Sequence, residues 1–156
     1  MSIKVFPAQA QGIASAQVMK EQLKAVGIDV EVVVLEWGVQ QQHLVKGDFD
    51  MAHVPQPTAT DPDAYLFDRY HSKYPRNRGG YSNPKLDKLL EEARASLDEK
   101  RRHEIYAEVQ KIVAEEVPVI IPLGPPRYDP YRTYVKGFVP MLNASRITLR
   151  ETWLDK

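Results

Sequence analysis

The chain has 156 residues, of which 43% are hydrophobic and 27% are charged, the balance of one ordinary globular domain long enough to bury a core. Basic and acidic residues are equal at 21 each and no basic face stands out, which argues against a nucleic-acid-binding protein. The sequence has no cysteine, so disulfide bonds, thiolate nucleophiles and cysteine-based zinc sites are excluded.

The first third of the sequence alternates between strand and helix patterns. Residues 3–6 predict a short strand. A helical stripe follows and ends at Gly27, a residue suited to the left-handed turn after a helix. Residues 30–35 (VEVVVL) are then nearly all apolar, which is typical of a strand covered on both faces. The apolar positions of the helical stripe are Ala16, Met19, Leu23 and Val26.

A second helix and a third strand continue this alternation. The helix is predicted over residues 39–45, ending at Gly47, and the strand over residues 49–54. The order strand, helix, strand, helix, strand predicts a mostly parallel sheet with helices packed on its faces.

The middle of the chain carries helix starts in which an N-cap residue precedes a proline. Asp61-Pro62 and Asn83-Pro84 each match this cap-plus-proline signal. Between them, residues 70–80 are polar with paired glycines and predict an exposed loop. The two later helices, the second capped by Asp98, carry apolar stripes at Leu86, Leu89, Leu90 and Ala93, and at Ile105, Val109, Ile112 and Val113.

The last part of the chain contains two further strand patterns. Pro118 ends the preceding helix, and residues 119–123 (VIIPL) predict a buried strand. Residues 134–139 predict another strand, which Gly137 weakens.

Several segments of the sequence, taken in order, form a recognisable series. They are 17–37 (QVMKEQLKAVGIDVEVVVLEW), 46–52 (KGDFDMA), Asp61-Pro62 with Tyr65-Leu66, 81–93 (YSNPKLDKLLEEA), Arg102 with Tyr106 and Gln110, 116–123 (EVPVIIPL), 135–140 (VKGFVP) and Trp153-Leu154-Asp155. Together they cover most of the chain and resemble the extracellular solute-binding proteins of family 5, the oligopeptide/dipeptide/nickel-binding type of ABC importers. The resemblance is to the C-terminal lobe only.

The resemblance implies a fold and a division of the chain. Residues 1–124 would form a three-layer α/β lobe, periplasmic-binding-protein-like, with a mostly parallel central sheet. Residues 125–156 would be a C-terminal tail that normally returns to the other lobe. In the whole protein, two lobes hinge shut on a solute and the closed form docks on a membrane ABC transporter.

The resemblance also implies an extracytoplasmic location, periplasmic or at the cell surface. The first twenty residues lack the charged and apolar regions of a signal peptide, and no apolar run is long enough to span a membrane. We therefore expect any export signal to lie outside this chain.

The loop after the third predicted strand, residues 54–61, is the predicted ligand-binding segment, because open α/β sheets bind ligands beyond the carboxyl ends of their strands. Gln56, Thr58 and Thr60 can hydrogen-bond a small polar solute, a peptide or another compound; the alternative is a rigid, solvated connector. The resemblance favours the site. Peptide-binding members often place a carboxylate three positions before the Asp-Pro pair, and because Thr58 stands there we expect an uncharged or differently charged solute.

Four further residues are weighed as ligand contacts. Asp61 is favoured as a helix cap over a contact, because Pro62 follows it. Trp37 is favoured as a buried core aromatic over a ring that stacks on a solute. Asn77 and Tyr81 are candidates for the mouth of the cleft, and a plain surface loop is an equal alternative for them.

No metal site, cofactor or catalytic residue is predicted. No two histidines are spaced i,i+4 on one predicted helix, and no cysteine could join them as a ligand. The nucleophile-elbow, phosphate-loop and dinucleotide-binding motifs are missing from the sequence. The four histidines are His43, His53, His71 and His103.

These observations predict a non-catalytic solute-binding lobe that binds its ligand weakly or not at all without its complement. The expected protein partner is the complementary lobe or a second copy of the chain, in a face-to-face or domain-swapped dimer. Two alternatives stay open. One is an excised, designed or reconstructed lobe that folds and self-associates without a transport function. The other is an independent doubly-wound enzyme, which a cleft with a strongly shifted pKa would support.

Overall fold

The structure, a computed structural model, describes residues 1–7, 10–54, 59, 61–121, 128–141 and 147–156. Strands and helices alternate in the first third of the chain, and the middle third is helical. The elements are β1 (Ser2–Val5), α1 (Ala10–Ala25), β2 (Glu31–Val34), α2 (Trp37–Lys46), β3 (Met51–Ala52), α3 (Pro62–Tyr70), α4 (Pro84–Ala95), α5 (Glu99–Glu116), β4 (Val135–Lys136), a 3-10 helix (Ile147–Glu151) and β5 (Trp153–Leu154).

The first three strands form a parallel sheet in the order β2-β1-β3. Alternate residues of β1 face opposite sides of this sheet. Ile3 and Val5 are buried against α1 on one side. Lys4 faces the other side, where its Nζ lies 3.0 Å from Nδ1 of His43 on α2. Helices therefore cover both faces, and the predicted three-layer α/β lobe is confirmed.

Glycines end the first two helices where the sequence predicts. After α1, Gly27 has a φ of 84°, its N–H donates to the carbonyl of Lys24 (3.0 Å), and the Ile28 N–H donates to that of Leu23 (2.9 Å). After α2, Gly47 has a φ of 69°. The prediction that Val26 belongs to the apolar stripe of α1 is wrong: Val26 is 71% exposed, because it lies beyond the last helical residue.

Helices α3, α4 and α5 form a second core of their own. Their caps are the predicted ones: Asp61, Asn83 and Asp98 each accept hydrogen bonds from backbone N–H groups in the first turn. The core residues are Phe67, Tyr70, Leu86, Leu90, Ala93, Ile105, Tyr106, Val109 and Ile112. Helix α5 ends in a left-handed residue that is not glycine, Val117, with a φ of 45°. None of the described helices is long and apolar enough to cross a membrane.

The segment after α3, predicted as an exposed loop over residues 70–80, is attached to the helices at its start. Its first residue, His71, is buried, stacks on the Phe67 ring with 4.3 Å between centroids, and lies 3.2 Å from Glu91 on α4. The Ser72 N–H donates to the Asp87 carboxylate at 2.8 Å. Hydrogen bonds tie the start of this loop to α4, whereas Lys73, Pro75, Arg76, Gly79 and Gly80 are exposed as predicted.

Two predicted strands differ from the structure. β2 lies at the edge of the sheet and Val34 is half-exposed, so this strand is not covered on both faces. Residues 119–121 are exposed and form no strand in the described part of the chain, with Ile121 68% exposed; Pro122 and Leu123 lie outside the described residues. An apolar β-branched run forms a strand only where another strand lies beside it.

The described part of the predicted tail contains a short antiparallel strand pair. The strand predicted over residues 134–139 is reduced to β4, which pairs antiparallel with β5. Gly137 stops it, because its φ is 70° and a Cβ there would collide with the carbonyl oxygen of Glu151.

Candidate functional site

The carboxyl ends of the three parallel strands meet at one edge of the sheet, and an aromatic pair lies there. Phe6 follows β1, and its ring centroid lies 4.7 Å from that of Trp37, with the two planes at 57°. Trp37 is 44% exposed, so the prediction of a buried core aromatic is wrong. It is the first residue of α2 at an outer strand of the sheet, and its ring partner is Phe6. The pair therefore offers a partly open aromatic surface to a ligand.

Glu36 fixes the start of α2 and with it the position of Trp37. Its carboxylate accepts hydrogen bonds from the N–H groups of Gly38 (2.6 Å) and Val39 (3.3 Å). A carboxylate is favoured at a helix N-terminus by the free N–H groups and the helix dipole. The charge of Glu36 is thus partly committed to the helix.

His53 follows β3 at the same edge and was not predicted as a site residue. Its ring packs on Gly12 of α1, where a built Cβ would lie 2.7 Å from Nδ1. Burial lowers the pKa of His53 below its ordinary value of 6.5, which favours the neutral imidazole. Gly12 lies before the apolar stripe that predicted the first helix, in a segment interpreted as a loop, so no sequence signal indicated this close approach.

An apolar groove of about 730 Å³ opens next to the predicted ligand loop, between α3 and the carboxyl end of α5. This volume is within the usual range for small-molecule sites. The groove is lined by Ala59, Asp61, Pro62, Tyr65, Leu66, Tyr70, Gln110, Val113, Ala114, Val117, Val119 and Ile121. Burial, with a contribution from Tyr65, raises the pKa of the Tyr70 phenol to about 12, so this lining group is neutral.

Asp61 carries the carboxylate among the groove-lining residues, and contacts within the chain engage it. It caps α3 by accepting from the Asp63 N–H (2.8 Å), which confirms the predicted cap. Nη2 of Arg102 lies 3.0 and 3.1 Å from its two oxygens. The ion pair offsets the negative charge at the groove mouth.

Asn77 and Tyr81 lie with the helical core and not with the aromatic pair. The Asn77 amide accepts from the Tyr81 N–H (3.1 Å) and donates to the Tyr81 carbonyl (2.6 Å). The Tyr81 hydroxyl donates to Glu116 at 2.6 Å, and its ring packs against the helical core. Burial and this hydrogen bond raise the pKa of Tyr81 to about 12. Their polar groups close the loop before α4, and their role as ligand contacts stays a prediction.

The remaining predicted ligand residues, Gln56, Thr58 and Thr60, lie outside the described residues. Within the described ranges, no three histidine, aspartate or glutamate side chains converge as metal ligands. The described candidate features are therefore two: the aromatic pair with the end of β3 at the sheet edge, and the apolar groove beside the helical core.

No family model matches the chain, but curated proteins do. The oligopeptide-binding protein AppA of Bacillus subtilis is 29% identical over 146 residues, which cover 90% of this chain and 26% of that protein. The probable D,D-dipeptide-binding periplasmic protein DdpA of Escherichia coli is 32% identical over 127 residues, 77% of this chain and 24% of that protein. The chain spans about a quarter of the length of these relatives.

Solved structures show the same fold. The oligopeptide-binding protein AppA from Bacillus subtilis, in complex with a nonapeptide, superposes with a TM-score of 0.76 at 24% identity, covering 99% of this chain and 31% of that one. The mannohexaose-bound periplasmic oligopeptide-binding protein from Thermotoga maritima gives 0.69 at 24% identity, with 76% and 24% covered.

The relatives are peptide-binding proteins of solute-binding protein family 5, so the resemblance recognised in the sequence is confirmed for a chain that matches part of them. These homologues are binding proteins of ABC importers and not enzymes.

Proposed function

We propose that this chain is a solute-binding lobe of the substrate-binding component of an ABC importer, acting by binding and release without bond chemistry. The observation that carries the proposal is the match to oligopeptide-binding AppA along 90% of the chain, together with the lobe fold. In the whole protein, which would work outside the cytoplasm, a second lobe would close over this one and the closed form would dock on the membrane transporter.

The proposed solute face combines the carboxyl edge of the sheet with the groove between α3 and α5, which residues 55–60 connect along the chain. Phe6 and Trp37 would supply an aromatic wall, since such rings stack on or pack against ligand groups. Gln56, Thr58 and Thr60 would supply hydrogen bonds from the loop between the sheet edge and the groove. This combination of apolar surface with a few polar groups is usual for small-molecule sites.

The proposed solute has an uncharged group facing this lobe. Thr58 occupies the position where peptide-binding members often carry a carboxylate for the peptide amine. The nearby carboxylate of Asp61 is paired with Arg102 and with a backbone N–H, so it offers little free charge to an ammonium. An apolar groove would also disfavour a bare charge.

A single lobe supplies one wall of the cleft, so we propose weak or undetectable solute binding by this chain alone. Its exposed apolar side chains would meet a complementary lobe or a second copy, giving a dimer. They lie in the segment after α5 and in the tail, at Val117, Ile120, Ile121, Val139 and Leu154.

The two tryptophans allow a site-specific binding test. With Trp153→Phe, Trp37 becomes the sole tryptophan and reports on the proposed face; with Trp37→Phe, Trp153 serves as the matched control. Both variants are titrated with N-acetylated dipeptide amides, free dipeptides, oligosaccharides and nickel chelates, and thermal shifts are recorded in parallel. A saturable change in the Trp37 reporter alone supports the face.

The negative outcomes of this test are also informative. Equal changes in both reporters, or thermal shifts without a Trp37 response, would exclude the proposed face. Binding of free dipeptides in preference to the acetylated amides would refute the uncharged-solute proposal. A dimer by light scattering with no response to any solute would mean that the chain is a folded half whose solute binding needs its complementary lobe, as proposed above for the lobe alone.

A further inference from the structure

The outer edge of β2, the side that faces away from β1, has no neighbouring strand within the described part of the chain. On the inner side, the N–H groups of Glu31 (3.0 Å) and Leu35 (2.8 Å) donate to main-chain carbonyls of the first five residues. Because main-chain groups alternate in direction along a paired strand, Val30, Val32 and Val34 direct theirs outward. These outward groups are able to pair with a further strand.

The side chains along this outer edge are mostly apolar. Natural edge strands are commonly protected from pairing by lysine, by proline or by a bulge. The sequence of β2 is EVVV, so Glu31 is its one charged residue, and Val34 is half-exposed. Exposed apolar residues also flank the strand, Ile28 before it and Trp37 after it. The edge therefore has the composition of a strand that pairs and not of one that is protected.

The segment matches a second copy of itself in one antiparallel register. A two-fold axis through Val32 sets this residue opposite the Val32 of the second copy, and sets Val30 opposite Val34 on both sides of the axis. These are the residues whose main-chain groups point outward, so each pair exchanges two N–H···O bonds. Every outward group from residue 30 to residue 34 would then have a partner.

The two neighbouring registers are less favourable. An axis through Glu31 would set two carboxylates directly opposite each other, and like charges at that position are destabilising. An axis through Val33 would set Val30 opposite Glu36, which lies beyond the end of β2 and caps α2. Of the three registers, the one centred on Val32 therefore gives the most hydrogen bonds without a charge conflict.

This register also suits the face of the sheet that carries α1. Val30 and Val32 pack in the cluster beneath α1, and Val34 lies on the same face by alternation. The cross-strand pairs on that face are therefore all valine pairs, which stabilise a sheet. Helix α1 packs on both β1 and β2. With strands about 4.8 Å apart and α1 halfway between β1 and β2, the two α1 helices would lie about 10 Å apart, the spacing of packed helices.

We propose that a second copy of this chain pairs with the outer edge of β2, antiparallel and with the two-fold axis at Val32. Strands β3, β1 and β2 of each copy then form one continuous sheet. The same patch is used on both copies, so the contact closes as a dimer and does not extend into a filament. It leaves the exposed segments after α5 and in the tail for the complementary lobe, and it does not depend on solute binding.

The lack of cysteine in the chain allows the register to be tested by disulfide formation. In Val32→Cys, the two Cα atoms of residue 32 would lie about 5.5 Å apart, which is within the range of a disulfide. In the control Val33→Cys, the two Cα atoms would be more than about 7 Å apart, which is beyond it. In a glutathione buffer, Val32→Cys should form the disulfide dimer at least about tenfold faster than Val33→Cys. Val30→Cys mixed with Val34→Cys should give a mixed dimer, whereas each of them alone should not.

Sedimentation equilibrium tests the dimer itself. Val34→Lys sets an ammonium group opposite a valine at the edge, and should weaken dimerisation by at least about tenfold. Leu154→Lys makes a matched change at a similarly exposed position of the tail and should leave dimerisation unchanged. Circular dichroism checks that both variants fold. The disulfide test keeps Val34 in its main comparison, so it decides the outcome if Val34→Lys does not fold.

Three results would overturn the inference. Equal disulfide rates for Val32→Cys and Val33→Cys would refute the register. A chain that stays monomeric up to its solubility limit would refute the dimer. A dimer that Leu154→Lys dissociates and Val34→Lys does not would place the contact in the tail. These measurements use no solute, so the dimer can be refuted while the proposed solute binding stands, and the reverse also holds.

Discussion

Gly12→Ala is the substitution that most directly tests the packing at the sheet edge. Two effects of opposite sign act at this position. Alanine within a helix is more favourable than glycine by about 1 kcal/mol. Against this, the new Cβ would lie 2.7 Å from Nδ1, 2.8 Å from Cε1 and 3.2 Å from Cγ of His53, close to the whole ring and not only to its tip.

The steric effect is expected to exceed the helix gain. Overpacking of a buried contact costs about 1–3 kcal/mol, so the net result is a free energy of unfolding that is lower by up to about 2 kcal/mol. Because the clash needs the imidazole, the sign should reverse in a His53→Ala background. There Gly12→Ala should stabilise the chain by about 1 kcal/mol.

Urea unfolding of the four chains of this double-mutant cycle, followed by circular dichroism, gives the coupling energy. Ala14→Gly, at an exposed position of the same helix, measures the propensity effect independently. A Gly12→Ala chain that is more stable than the unsubstituted one by the full propensity difference would refute the close approach of His53. Additive effects of the two substitutions would refute it as well.

Three further predictions concern other contacts. Arg94→Lys should lower the free energy of unfolding by about 0.5–1 kcal/mol, because lysine cannot keep both the two-pronged bond to Asp63 (2.8–3.1 Å) and the contact with the Phe67 ring. The effect is small because the side chain is 42% exposed. In the same urea titration, the control Arg76→Lys loses one bond to Asp68 and should lower the free energy of unfolding by less. Because burial lowers the pKa of His53 in the folded chain, the unfolded chain binds more protons than the folded chain just below pH 6.5. The contribution of His53 to stability should therefore be complete above that pH and fall as the pH drops. His53→Gln, but not His103→Gln, should reduce the pH dependence of the urea unfolding midpoint between about pH 7.5 and 5.5. Val117→Asn should raise the melting midpoint, equivalent to up to about 1 kcal/mol, by relieving a β-branched residue at φ 45°, and no gain would contradict that strain.

Features set by neighbouring residues in the sequence were predictable. The caps at Asp61, Asn83 and Asp98 and the glycine after α1 are local signals, since each bonds within a few residues of itself. The alternation of strands and helices likewise predicted the parallel sheet, because parallel neighbours require a crossover element.

Features set by what lies beside a segment in space were not predictable in this way. Trp37 is a residue type that usually packs in the core, but it is partly exposed because it follows the outer strand of the sheet. Residues 119–121 have the composition of a buried strand but no strand beside them in the described structure. His53 joined the candidate site only through its contact with Gly12, which lies 41 positions earlier in the sequence.

The two hydrophobic clusters also differ in how far apart along the chain their contacts lie. Helices α4 and α5 pack on each other and are separated in sequence only by residues 96–98. β1, in contrast, pairs with β2 and with β3, which lie much farther along the chain. Closing a longer loop costs more chain entropy, and local contacts form faster. The helical cluster should therefore form first in refolding, and the sheet last. The carboxyl edge with its aromatic pair would be acquired at the end, so a refolding chain would show the helical signal of α3, α4 and α5 before that edge has formed.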